Sequence, residues 1–410
     1  MDPLSIEGFY GQSIGVKAPW KVASVSILGE LRQVHIRVEC PHGIAWVDLE
    51  TGERAQIKGW EERVWRHMDT CEYETVVTAE VPRIKLKSGR TMVVSVPWAE
   101  PGGRFTRRFE AHLIKLLEAC RTVKGAAMLG GVTEDQIDGV MARGVARGLA
   151  RREFEELRRI GLDEKAVRKG QRYITVLNDL DNGRVLDVVE ERTQEAAEAL
   201  LETLPQRLRD SVEAVAMDMW PAYLGAVSRL LPEASVVFDR FHVVKHLNEA
   251  VDKVRRTENR VLTAQGDETL KHTKYSWLRS RLDLRTQLGI EFRELLNHDL
   301  QTATAWALKE NFHHFWGYQS WTHACRFLDK WVEAAHETDL KPVQKVAAMI
   351  EKHAEGLLNF IHHHITNAAS EGINSTIQSL KHAARGLVNF KSLRIRILFF
   401  LGKLNLRPAY

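Results

Sequence analysis

Three acidic residues stand at places from which two divalent metals are held for phosphoryl transfer. They are Asp163 in Arg159-Ile160-Gly161-Leu162-Asp163-Glu164, Asp218 in Ala214-Val215-Ala216-Met217-Asp218-Met219-Trp220, and Glu371 in Asn367-Ala368-Ala369-Ser370-Glu371-Gly372-Ile373-Asn374. The first two end short apolar runs of strand character, and the third starts a polar helix face. Hard cations such as Mg²⁺ prefer carboxylate oxygens and keep positions open for phosphate and water. Two such ions about 3.5–4 Å apart clamp the attacking and leaving oxygens of an in-line displacement. The chemistry on offer is cutting of nucleic acid.

Those side chains need a scaffold, and the surrounding pattern predicts one. Arg159 to Lys165 and Tyr173 to Asn178 read as strands, and Asn182-Gly183 predicts a two-residue type I′ hairpin turn before a third strand over Arg184 to Val189. Thr193 caps a helix that buries Ala196, Leu200 and Leu204. Val212 to Asp218 is a fourth strand, Ala222 to Leu231 a helix and Ser235 to Phe238 a fifth strand. Three antiparallel strands followed by αβαβ is the order of an RNase H-like core. In that order the fourth strand lies beside the first and parallel to it, so Asp163 and Asp218, 55 positions apart, become neighbours at one sheet edge. Like charges that close are costly without a cation. Asp179 and Asp181 compete for the role of first carboxylate. Asp163 is preferred because it faces the fourth strand, whereas the other two sit where turn chemistry explains them.

From Glu371, steps of three and four reach Asn374, Gln378, Lys381 and Arg385 on one helix face, with Ile373, Ile377, Leu380 and Ala384 on the adjoining apolar face. Lys381 and Arg385 are expected to touch phosphate. Asp239 and His242 follow the fifth strand near the same edge. They either support the metal site and its DNA or serve as a cap and a packed histidine.

At 410 residues the chain is too long for one small core. Residues 1–104 read as a β-rich module, with strands over Glu74 to Pro82 and Thr91 to Val96. Over 105–150 the period becomes helical: Phe105 to Cys120, then Thr122 to Leu129 closed by Gly130-Gly131, then a helix from Glu134 behind the capping pattern Thr133-Glu134-Asp135-Gln136. That order suits a helix-turn-helix, with Ile137, Val140 and Met141 inward and Arg143 and Arg147 outside to meet DNA, joined by Arg151 and Arg152. Residues 151–249 hold the first part of the core and 250–359 a helical insertion rich in tryptophan, read as packing. Residues 360–410 hold the second part, with basic C-terminal helices. From Glu371 onward, seven lysines and arginines face Glu371 alone, a balance suited to phosphate. The net charge of +4 says little by itself. Four scattered cysteines argue against a disulfide framework, and neither a signal peptide nor a membrane span is apparent, so a cytoplasmic chain is expected.

Asp163-Glu164 with Arg168-Lys169-Gly170-Gln171-Arg172-Tyr173-Ile174-Thr175-Val176, then Asp218-Met219-Trp220-Pro221-Ala222-Tyr223, then Asp239-Arg240-Phe241-His242-Val243-Val244-Lys245, resemble the insertion-sequence transposases of the ISL-three family. So do Asn367 to Asn374 with Lys381-His382-Ala383-Ala384-Arg385-Gly386, Trp65 to Cys71, and Val96 to Pro101. The resemblance implies a DDE transposase with an RNase H-like α/β core: a mixed five-stranded sheet with helices, interrupted by an all-α insertion and preceded by the β-rich module and the helix-turn-helix. It implies that Asp163, Asp218 and Glu371 hold two Mg²⁺ ions, with Mn²⁺ able to substitute, and that Asp239, His242 and Asn374 support them. The partners implied are double-stranded DNA, as terminal inverted repeats and target, and a second copy of the chain in a synaptic complex. The setting implied is the prokaryotic nucleoid.

One part departs from the family. Members often carry an N-terminal zinc ribbon opening with Cys-Pro-x-Cys, whereas here the stretch is Cys40-Pro41-His42-Gly43 and no cysteine lies near Arg83 to Gly89. Cys40, His42, His67 and Cys71 are the remaining candidates for a Cys₂His₂ set. The expectation is a degraded module without zinc. Two other functional readings stand beside the transposase: a derived DNA-binding regulator without catalysis, and an RNase H-like nuclease.

Overall fold

The Val- and Thr-rich run beginning at Glu74 becomes the longest strand of the first of two units. The computed structural model describes residues 5–47, 52, 54–86, 88–154, 156–168, 172–280, 287–296, 298–365, 368–383 and 389–409. The first unit comprises Met1–Glu153 and Lys403–Tyr410, the second Phe154–Gly402.

In the first unit, helix α1 (Ile6–Ile14) precedes strands β1 (Lys21–Leu28), β2 (Gln33–Glu39), β3 (Gln56–Arg66), β4 (Glu74–Lys85) and β5 (Thr91–Val93). The sheet runs β1-β2-β4-β3, with β5 also on β4, and only β2 and β4 are parallel. Alternation along β2 and β4 buries Val34, Ile36, Val38, Val77, Ala79 and Val81. Trp20 and Trp65 pack edge-on to Trp98, with centroids 5.1 and 5.4 Å away. The opening helix was not apparent in a stretch read mainly as strands.

Helices α2 (Arg107–Cys120), α3 (Val123–Gly130) and α4 (Glu134–Ala150) follow, capped by Thr106, Thr122 and Thr133. At Thr133 both halves of the capping box form. Gly131 ends α3 at φ +59°, a left-handed conformation in which any side chain would be strained. Ile137, Val140 and Met141 are buried, as their spacing predicts. Residues 403–409 lie along α4, with Leu404 so close to Gly148 that an added Cβ would stand 2.7 Å from the Leu404 Cβ.

The second unit is built on strands β6 (Arg159–Arg168), β7 (Arg172–Asp179), β8 (Arg184–Glu190), β9 (Ala214–Met217) and β10 (Ser235–Phe238). Their order is β10-β9-β6-β7-β8. β6, β7 and β8 are antiparallel, and β9 runs parallel to both β6 and β10. All four residues of β9 are buried, which is why it reads as an unbroken apolar run. Helices α5 (Gln194–Glu202) and α6 (Gln206–Arg209) lie between β8 and β9, and α7 (Pro221–Leu230) lies between β9 and β10.

The β7–β8 turn differs from expectation. Asp179 pairs with Arg184 across a four-residue loop, and of its residues only Gly183 takes positive φ. The Asp179 carboxylate captures the Asn182 N–H at 3.0 Å, favouring this loop over a two-residue turn.

The chain then runs through α8 (Arg240–Ala264), α9 (Lys274–Leu278), α10 (Gln287–Leu296), α11 (Gln301–Phe312), α12 (Trp321–His336) and α13 (Lys341–Lys352). Trp277, Trp306, Trp316 and Trp331 are buried as expected of packing residues, but Trp321 is exposed at the start of α12. Helix α14 (Ala354–His363) returns to the sheet, where the Asn359 side-chain amide donates to the Val236 carbonyl at 2.9 Å. Helices α15 (Ala368–Ala383) and α16 (Phe390–Leu401) complete the unit, and Arg394 clamps Asp187 of β8 through two bonds of 2.7 Å. No helix among the described residues is long and apolar enough to cross a membrane.

Candidate active site

Strand register brings the carboxylates together. Leu162 of β6, Met217 of β9 and Phe238 of β10 form the last paired row of the three parallel strands. The next residue on each strand is Asp163, Asp218 and Asp239. Three carboxylates therefore gather at the carboxyl ends of adjacent strands, a place where open α/β sheets bind ligands. Asp239 also caps α8 by accepting from the Phe241 N–H at 3.0 Å, and the first turn of that helix swings His242 back over the row. His242 Nε2 lies 2.6 Å from Asp218 Oδ1 and 3.9 Å from Asp239 Oδ2. The ligand atoms of Asp218, Asp239 and His242 all fall within 4.8 Å of one another.

Helix α15 closes the site from the other side. Ile373, Ile377 and Leu380 bury its apolar face, and the Asn374 amide donates to Asp163 Oδ2 at 2.6 Å. Glu371 lies one turn before Asn374 on the same face, and its side chain lies outside the described residues. Lys381, half-buried, is two turns beyond Asn374, and Arg385 lies outside the described residues.

The electrostatics are those of an anionic pocket. Burial, then the charge of Asp218, push the Asp163 carboxyl up to about 6. Burial opposes charge on His242, but its hydrogen bond to Asp218 and the surrounding carboxylates outweigh that and raise its pKa. Hard oxygens and one imidazole, crowded and short of positive charge, fit a divalent cation.

Asp179 stands apart from this row. It is buried on the hairpin and accepts from Asn182 Nδ2 at 2.8 Å and Arg184 Nε at 2.9 Å. Asp181 pairs with Arg159. Sequence reasoning missed a second cluster around Glu164. Arg192 donates to Glu164 at 2.9 Å and stacks between the rings of Tyr173 and Trp220, at 4.2 and 4.8 Å. On the same face Tyr223 and Thr175 share a buried hydroxyl contact of 2.9 Å. No spacing rule would have paired these residues.

Arg143 and Arg147 are not directed outward as expected. Both converge on Glu110 of α2, which is 1% exposed: Arg143 reaches Oε2 at 2.6 and 3.0 Å and Arg147 reaches Oε1 at 2.9 Å. Arg147 Nε also donates to the Leu406 carbonyl at 3.1 Å, and Arg151 donates to the Arg407 carbonyl at 2.8 Å. A buried carboxylate demands such partners, and α4 supplies them from positions i and i+4. Arg152 follows, half-buried, at the end of the helix.

Nor do Cys40, His42, His67 and Cys71 assemble; among the described residues they form no metal-ligating group. His67 spends Nδ1 on Thr106 Oγ1 at 2.7 Å and Nε2 on Ser13 Oγ at 3.3 Å. His42 packs edge-on to Trp60, and Cys71 is exposed.

The comparisons with known proteins meet this geometry directly. The family model for the ISL3 (ISL-three) DDE domain, described as a transposase, matches residues 160–397, more than half of the chain. The chain belongs to the ISL3 transposase family. A second model, the helix-turn-helix domain of transposase family ISL3, matches residues 94–145 and so takes in α2, α3 and most of α4. The transposase for insertion sequence element IS1001 of Bordetella parapertussis is 28% identical over 349 residues, covering 83% of this chain and 85% of that protein. The transposase for element IS1557 of Mycobacterium tuberculosis is 24% identical over 371 residues, covering 85% and 81%. This is thus an insertion-sequence transposase with a DNA-binding helix-turn-helix, from a family that uses divalent metal.

Proposed function

We propose that this transposase binds the terminal inverted repeats of its insertion sequence, cuts DNA there and joins the ends to target DNA. Asp163, Asp218 and Glu371 would form the catalytic set on an RNase H-like sheet. The observation that carries the reading is the shared row. Asp163 and Asp218 immediately follow paired residues of two parallel strands, and Asn374 ties the helix bearing Glu371 to Asp163. The strand order, with a parallel fourth strand beside the first, supports the RNase H-like assignment.

The three carboxylates would hold two Mg²⁺ ions, with Mn²⁺ a substitute. When bound, these supply the Lewis acidity for activating water or a 3′ hydroxyl and for stabilising the leaving oxygen. The chain's own groups prepare the place. Asn374 orients Asp163, and His242 orients Asp218 from the capped start of α8. No side-chain general base is required. Handling two element ends calls for a homodimer or larger synaptic complex, working in the prokaryotic nucleoid.

The test is strand cleavage of a duplex carrying the element's terminal repeats, with Mg²⁺ and with chelator. Asp163→Asn, Asp218→Asn and Glu371→Gln are expected to bind the duplex but not cut it, whereas Asp179→Asn, away from the row, keeps metal-dependent cutting. Cutting that survives Asp163→Asn and is lost in Asp179→Asn would move the first ligand to the hairpin. Tight end binding by a wild type that never cuts would favour the regulator.

A further inference from the structure

Helix α8 does more than carry Asp239 and His242 at its start. Its 25 residues lead away from the carboxylates, and its outer face borders a groove of about 370 Å³ shared with α9. Phe241, 57% exposed, stands at the end nearest the carboxylates, next in sequence to the histidine that contacts Asp218. Lys245, Lys253 and Arg256 follow along the helix, and Lys274 faces them from α9. From Phe241 to Arg256 the axis advances about 22 Å, at about 1.5 Å per residue.

The groove is cationic in balance. Its four cations face two carboxylates, Glu249 and Asp252, and Asp252 is already paired with Arg255 at 2.8 Å and Arg256 at 3.2 Å. Among the described residues Lys245, Lys253 and Lys274 enter no ion pair, and all three are exposed. The groove also contains Asn248, whose Oδ1 is buried without a hydrogen-bond partner there.

We propose that this α8–α9 groove is a DNA-backbone track, holding the duplex that runs out from the scissile phosphate independently of its sequence. The inference rests on the catalytic reading for its direction, but its chemistry is separate. Duplex DNA presents one phosphate charge per about 1.7 Å of axis, so cations spread from Lys245 to Arg256 over about 16 Å meet several phosphates without reading a base. The exposed Phe241 ring adds an apolar stacking surface where a strand would be drawn toward the carboxylates.

The experiment uses the full chain and a 30-base-pair duplex of arbitrary sequence, with binding read by fluorescence anisotropy in chelator across a range of salt. Each lost phosphate contact lowers the slope of log K against log salt by about 0.9, so the triple variant Lys245→Gln/Lys253→Gln/Lys274→Gln is expected to lower it by roughly 2 to 3. At moderate salt its affinity should fall roughly tenfold or more. Melting temperature is measured in parallel. Should the triple variant lose stability, the single variants Lys253→Gln and Lys274→Gln carry the test, each expected to lower the slope by about 0.9. Wild-type affinity and slope in stably folded variants would overturn the track. Because the assay contains no metal and no cleavage, it reads backbone binding apart from the chemistry of the carboxylates. Failure of the catalytic reading therefore leaves this result interpretable.

Discussion

Replacing Arg147 with alanine separates a structural arginine from a DNA contact. Arg147 is 10% exposed and gives one charged bond to Glu110 at 2.9 Å and one to the Leu406 carbonyl at 3.1 Å. Its removal leaves one oxygen of a carboxylate buried among α2 and α4 without its cation. Arg143 remains on the other oxygen, so the cost falls at the low end of what breaking a buried pair causes, about 3 kcal/mol. That corresponds to roughly a hundredfold faster amide exchange wherever local opening controls it, since 1.4 kcal/mol is tenfold. Hydrogen exchange followed by mass spectrometry on the full chain should show the loss across α2, α4 and segment 403–409, and not across β6 to β10. Arg143→Ala should behave alike but more mildly, because its side chain is 32% exposed. Wild-type protection throughout α2 and α4 in Arg147→Ala, together with lost affinity for element ends, would refute this role, since the arginine would then be serving DNA and not Glu110.

Three further outcomes are expected. Burial lowers the His67 pKa from 6.5 to about 4, so the unfolded chain binds the extra proton first; stability is intact above pH 6.5 and falls by about 3 kcal/mol as pH drops through 4, and urea unfolding of His67→Gln should show a flatter pH dependence. Gly148→Ala drives a methyl to within 2.7 Å of the Leu404 Cβ, and overpacking of about 1–3 kcal/mol, partly offset by better helix propensity, should expose residues 403–409 to limited proteolysis; unchanged protection would mean that the segment is not held by α4. Asn374→Ala, which frees Asp163 from its orienting amide, should raise the Mg²⁺ concentration for half-maximal cleavage by about 10- to 100-fold, and an unaltered metal titration would remove that role.

Much of the catalytic unit was legible because its signals are local. Period-two and apolar runs marked all five strands, Thr193 announced its helix, and the strand order implied that Asp163 and Asp218 would meet. The turn after β7 was misread because Asp179, outside the Asn-Gly pair, decides it by capturing the Asn182 N–H. Asp239 was seen only as lying near the edge. Its place in the row depends on which residue of β10 pairs with Met217, and no one-dimensional pattern states that.

By itself the sequence determined the family, the strands of the second unit and the caps at Thr133 and Thr193, since these follow from backbone preference and residue order. Tertiary structure alone decided the partners. Glu110 claims two arginines that helical spacing had turned outward, hydroxyls from Ser13 and Thr106 occupy both nitrogens of His67, and α15 reaches across 211 positions to hold Asp163. A charge or hydrogen-bonding group answers to whatever shares its desolvated volume, and that company is settled only when the chain has packed.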